Sequence, residues 1–208
     1  IYFKEKANIN KTLNYRVRVL LAQETARIII EQGIEDFRIA KHKAAERLGL
    51  KKLGSLPGNT EIQAAVRKHL QLFGRESHFD LQSMLRRSAL SAMDLLAPFR
   101  PRLVGSVLHG TAAANSTINL HVFADTPEPV AMHLDAACLR YRSYERRVKI
   151  RRDFSETFAA YGFQQGDLSI EATVFPVVGM RQAPISPVDG RPMKRANHAA
   201  VRKLLEPN

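Results

Sequence analysis

The chain has 208 residues, 45% of them hydrophobic and 25% charged, a composition that excludes wholesale disorder and leaves room for one compact domain or two small ones. Thirty-two Lys and Arg stand against twenty Asp and Glu, for a formal net charge of +12. Such an excess points to a polyanionic partner, whether nucleic acid, nucleotide or acidic membrane surface, or else serves solubility alone. One cysteine, Cys138, excludes an internal disulfide, and no Cys/His spacing offers a structural zinc site. The longest apolar runs, such as Ala26 to Ile30, are far too short to span a bilayer, and no charged-then-apolar secretory segment opens the sequence. A cytoplasmic protein with no membrane partner is the expectation.

Up to residue 97 the sequence reads as successive helices. Val17, Leu20, Leu21, Ile28 and Ile29 lie on one helical face over Tyr15 to Glu31, and Gly33 offers a stop. Asp36 to Leu48 forms a second helix ended by Gly49. A turn at Leu56-Pro57-Gly58-Asn59 leads into a third helix through Ile62, Val66, Leu70 and Phe73. Phe79 to Leu96 makes a fourth, stopped by Pro98 and Pro101. The texture then becomes β-rich. Leu103 to Leu108 reads as a strand entering a loop, and Ile118 to Phe123 alternates as a half-buried strand should. Pro127 to Arg140 reads as a helix, followed by strands over Tyr144 to Arg152, Phe154 to Tyr161 and Leu168 to Phe175. A proline-rich tail from Pro176 reads as a wrapping loop or a lid, and a short helix over Asn197 to Leu205 closes the chain. The predicted fold class is α+β, with a helical region at 1–97 and a mixed sheet with flanking helices at 98–208.

The segment Leu103-Val104-Gly105-Ser106, then His109-Gly110-Thr111, then the strand Thr117-Ile118-Asn119-Leu120-His121-Val122 resembles the opening motif of the polymerase-β-like nucleotidyltransferase superfamily. Ten residues separate Ser106 from Thr117 and twelve separate it from Asn119, so the spacing suits either register. The resemblance implies that Gly105, Ser106, His109, Gly110 and Thr111 hold phosphates, since glycine permits close backbone approach and neighbouring N–H groups cradle anions. It also implies two strand carboxylates holding Mg²⁺ for in-line transfer. Here the carboxylate slots are Thr117 and Asn119, or Asn119 and His121, and neither register supplies an acid pair. Glu171 on a later strand matches the family's third acid, and Asp125 shares the parity of Asn119 and His121. The resemblance thus implies Glu171 and Asp125 as metal ligands and Glu171, Asn119 and His121 as the catalytic set, with transfer chemistry impaired or lost. His109 and His121 are alternatively hydrogen-bonded structural residues.

The positive charge is shared: seventeen basic against ten acidic side chains in 1–97, and fifteen against ten in 98–208. Its densest point, Arg140 to Arg152, carries seven basic residues opposed only by Glu145. On a strand, Arg147, Lys149 and Arg151 share one face and Val148 and Ile150 the other. Those three, with Arg191, Lys194 and Arg195 of the tail, are the candidate polyanion contacts. Residues 24–34 and 40–50 also resemble the first helices of tetracycline-repressor-type regulators, which implies phosphate contacts by Lys41, Lys43, Arg47, Lys51 and Lys52. A plain helical bundle is the alternative. Function therefore divides between a nucleotidyltransferase-like protein holding a nucleotide or nucleic acid and a non-enzymatic DNA- or RNA-binding protein. An interaction module with incidental charge is the third reading.

Overall fold

The computed structural model describes the backbone apart from Ile1, Glu35, 51–55, Gly74 and 207–208; the side chains of 2–13, 73, 75 and 76 also lie outside the description. Lys51 and Lys52 fall among the residues not described. The fold is α+β: helices first, then a five-stranded mixed sheet with flanking helices. The chain divides into two compact units, Ile1–Arg75 and Glu76–Asn208. Among the described residues no helix is long and apolar enough to cross a membrane.

The first unit holds α1 (Tyr2–Gln32), α2 (Phe37–Arg47) and α3 (Asn59–Phe73). Small side chains let these helices approach closely. Leu21 and Ile28 of α1 pack with Ala40, Ala44 and Ala45 of α2, while Ala22 and Ala26 meet Ile62 and Val66 of α3. Asp36 caps α2, its carboxylate accepting from the backbone N–H groups of Arg38 and Ile39 at 2.7 and 3.2 Å. The residues compared with tetracycline-repressor-type regulators, 24–34 and 40–50, fall on α1 and α2, which residues 33–36 separate.

The second unit begins with α4 (Arg75–Leu95), which the sequence groups with the helical region. Its Leu85, Ala89, Ala92 and Met93, with Leu96 just beyond, belong to the core beneath the sheet. Then follow β1 (Arg102–Val104), α5 (Gly105–His109), β2 (Ile118–Phe123), α6 (Glu128–Ala136), β3 (Tyr141–Arg151), β4 (Phe154–Gln165), β5 (Leu168–Phe175) and α7 (His198–Lys203). Several boundaries differ from the sequence expectation, among them the start of β3 and the end of β4, and two of the differences have a clear local cause. The run expected as a strand to Leu108 turns at Gly105, whose φ of +76° suits glycine, and continues as α5. The helix expected to reach Arg140 stops at Ala136, and Cys138 takes a left-handed φ of +55° before β3.

Strand order is β1-β2-β5-β4-β3, antiparallel throughout except for the parallel β2–β5 pair. One sheet face carries Leu103, Ile118, Leu120, Val122, Ile170, Ala172 and Val174 into the helical core. The other carries Asn119, His121 and Phe123 on β2 and Glu171, Thr173 and Phe175 on β5. Every residue of β2 is buried, rather than alternate ones, because its second face is covered too. The cover is the tail. Ile185 N donates to Lys149 O at 2.8 Å on β3, and Ala196 exchanges two backbone hydrogen bonds with Leu103 on β1. The tail thus crosses the aromatic half of the face, where Phe123, Phe158 and Phe175 cluster with Val148, Ile150 and Met180. The polar half is left uncovered by that crossing.

Candidate functional site

Strand register aligns one residue from each strand in a row across the uncovered end of the face. Val104 pairs with Asn119, Asn119 with Glu171, Glu171 with Gly162, and Gly162 with Arg142. Gly105 follows directly on Val104, and a Cβ placed on it would meet the Asn119 side chain at 3.7–3.8 Å, so the β1–α5 turn lies against Asn119. Beside this row opens a cavity of about 460 Å³ lined by Thr117, Arg140, Arg142, Gly162, Ser169 and Glu171 among others. Gly162 shapes its floor: any side chain there would project toward Tyr144, whose ring is 3.5 Å from the Cβ position. The Arg142 guanidinium lies over the Tyr144 ring, 4.9 Å from its centre.

Arg146 crosses the small residues of β4 and ties the row together. Its Nη1 donates to Asn119 Oδ1 at 3.0 Å and forms an ion pair with Glu171. Asn119 Nδ2 in turn donates to Thr117 O at 3.1 Å, fixing which side-chain atom faces the guanidinium. His121 sits one row deeper, 6% exposed, against the Phe175 ring. Its Nδ1 accepts from Arg195 Nε at 3.0 Å, which places the imidazole proton on Nε2. Burial, then the charges of Arg195 and Arg146, hold its pKa well below the usual imidazole range, so it is neutral at physiological pH.

Arg195 is the tail's fastening. It donates to Gly179 O at 2.8 Å as well as to His121, and its guanidinium lies 5.2 Å from the centres of both the Phe123 and Phe175 rings. Burial, then Arg102, pushes its pKa down to about 10, which still leaves it charged at neutral pH. It is built into the fold and has little left to offer an outside polyanion. Arg191 and Lys194 are exposed on the same tail.

The remaining expected site residues separate into groups. Gly105 lies at the row, whereas Ser106 Oγ is enclosed and lacks a hydrogen-bond partner, so it is not presented to the cavity. His109, Gly110 and Thr111 stand at the other end of α5 and close that helix. His109 bonds to Gly105 O through Nδ1 at 2.7 Å, Gly110 takes φ +69° as its C-cap, and Thr111 N donates to Ser106 O. Asp125 is exposed beyond Phe123, at the end of β2 opposite Asn119, so it and Glu171 do not come together. Arg147, Lys149 and Arg151 are exposed, but Arg147 and Lys149 project from the face opposite the cavity, and Arg151 follows a bulge. The cations that line the cavity, Arg140 and Arg142, belong to the same basic run; Arg142 shares the other parity with Arg146, which meets the lining residue Glu171. That parity was readable: in a strand, Arg146 must share a face with Val148.

The nucleotidyltransferase resemblance implies Mg²⁺, and the donors can be compared with that requirement. A hard dication wants several anionic oxygens. The row offers Glu171, whose charge Arg146 already engages, and Asn119 Oδ1, which already accepts from Arg146. Among the described residues no three metal-capable side chains cluster anywhere. The donor set does not fit the ion. No protein-family model matches this chain, and no curated protein matches it.

Proposed function

We propose that the second unit is a nucleotidyltransferase-like fold that binds the phosphates of a nucleotide at the uncovered end of its sheet and has lost transfer chemistry. The transverse row Gly105, Asn119, Glu171, Gly162, Arg142 carries the reading. It puts the glycine turn, the surviving acid of the motif and a basic cavity at one end of one sheet face. Arg140 and Arg142 supply cationic donors suited to phosphate oxygens, and Tyr144 supplies a ring within the same wall. Loss of transfer follows from the donors: without paired carboxylates no metal-held attacking or leaving oxygen is stabilised.

Calorimetric titration of the chain with nucleoside triphosphates tests this, beside the variant Gly162→Val. Valine suits a strand, its Cβ meets only an ordinary contact with the Tyr144 ring, and its methyl groups would occupy the cavity floor. Binding by the native chain and its loss in Gly162→Val is the expected outcome; no nucleotide binding, or equal binding by both, refutes the proposal. One observation favours a second reading. The exposed Arg147, Lys149 and Arg151 lie on the long β3–β4 hairpin, away from the cavity, where a nucleic acid backbone could run. Such binding would fall steeply with salt and be indifferent to Gly162→Val.

A further inference from the structure

Between Asn119 and Glu171, where the motif implies a metal ion, the chain places a cation of its own. Arg146 reaches from β3 across β4 to both residues. The crossing is possible because β4 presents Ala160 and Gly162 on this face, paired with Tyr144 and Arg142. We propose that the Arg146 guanidinium stands in for a divalent cation in this site, so that the chain binds nucleotide phosphates without any metal. The inference rests on the nucleotide reading above and adds how the anion is held.

The chemistry of a guanidinium sets both what the site gains and what it gives up. Both contacts use Nη1, which leaves Nη2 and Nε as donors; two-fifths of the side chain is exposed, and its partner Glu171 lines the cavity. Planar paired donors match phosphate oxygens. Glu171 cancels one positive charge, and Arg140 and Arg142 remain on the cavity wall, so an arriving phosphate meets net positive charge with no added ion. A guanidinium, however, accepts no ligand lone pair. It cannot bind an attacking hydroxyl and lower its pKa as a metal does. Binding without transfer is the result.

The test is calorimetric titration of the full chain with ATP, and separately with inorganic triphosphate, in EDTA and in excess MgCl₂. ATP should bind in EDTA at least as tightly as in magnesium. Arg146→Met should weaken the EDTA affinity by about tenfold or more. Because that change leaves Glu171 unpaired, Arg146→Met/Glu171→Gln is measured too, and it should show the same loss. Glu171→Gln alone releases the guanidinium from its carboxylate and should tighten binding in EDTA several-fold, whereas a metal-dependent site would lose binding. Triphosphate alone should show the same dependence on Arg146. Binding seen only with magnesium, or EDTA affinity indifferent to Arg146, overturns this inference and leaves the nucleotide reading standing. Absence of binding in either medium overturns both.

Discussion

His121 makes the second unit sensitive to mild acid in a way that can be worked out from its surroundings. The imidazole is 6% exposed, stacks against Phe175, and uses Nδ1 to accept from Arg195. Arg195 from the tail and Arg146 from β3 both bear on it, and Arg102 is its register partner on β1. Protonation would remove the acceptor and add a third positive charge to this interior. The folded-state pKa therefore lies well below that of the unfolded chain, about 6.5. Above that value both states are neutral and the contribution to stability is complete. Below it the unfolded chain takes up a proton that the folded one refuses, so stability falls by about 1.4 kcal/mol per pH unit. The loss accumulates as pH falls from about 6.5 toward the lower folded-state value. The carboxylates with lowered pKa, Glu31, Glu61, Glu128 and Asp189, act at lower pH and leave this window to histidine. Urea unfolding followed by near-ultraviolet circular dichroism reads the second unit through the edge-to-face pair Tyr141–Tyr161. In His121→Gln the amide oxygen can accept from Arg195 without titrating, and most of the slope should vanish. Equal slopes for the two proteins would refute the argument.

Two further substitutions probe the scaffold. Arg195→Met removes the bonds to His121 and Gly179 and the stacking on Phe123 and Phe175. It should cost about 2–4 kcal/mol and speed tryptic cleavage after Lys194; unchanged cleavage would show that the tail is fastened by other contacts. Asp36→Ala deletes both cap hydrogen bonds of α2 and should lower the stability of the first unit by about 1 kcal/mol, measured by thermal unfolding at 222 nm.

Legibility in the sequence followed the physics of each element. The strand runs at 118–123 and 168–175 were legible because their apolar residues alternate along the chain. That Glu171 lies beside Asn119 depends on a parallel pairing between strands some fifty residues apart, which no local pattern encodes. The short helix α5 was hidden for a local reason: Val107 and Leu108 read as strand, and only the turn at Gly105 redirects them. Helix α4 was visible as a helix, yet its stripe of Leu85, Ala89 and Ala92 is compatible with any apolar partner, so periodicity could not tell bundle from sheet. Arg146 is hidden in the sequence because its parity puts it on the face of Val148 and Ile150, whose apolar side chains imply core. That face is core only where the tail covers it.

This divided face gives the positive charge its structural meaning. Arg195 and Arg146 stand on the same side of the sheet with His121 between their influences, and only Glu171 among their partners carries negative charge. Arg195 is spent on carbonyl and imidazole acceptors and on two aromatic rings, which lets the tail seal the half where Phe123, Phe158 and Phe175 exclude water. Arg146 meets one carboxylate and one amide at the border of the uncovered half, where Arg142 adds a further charge in the row. An interior that keeps cations on carbonyl and amide acceptors rather than on carboxylates retains unneutralised charge at its margin. On the nucleotide reading proposed above, an anion from outside would offset it. On that same reading, the acid that the motif would use to hold a metal is engaged by the protein's own cation, Arg146.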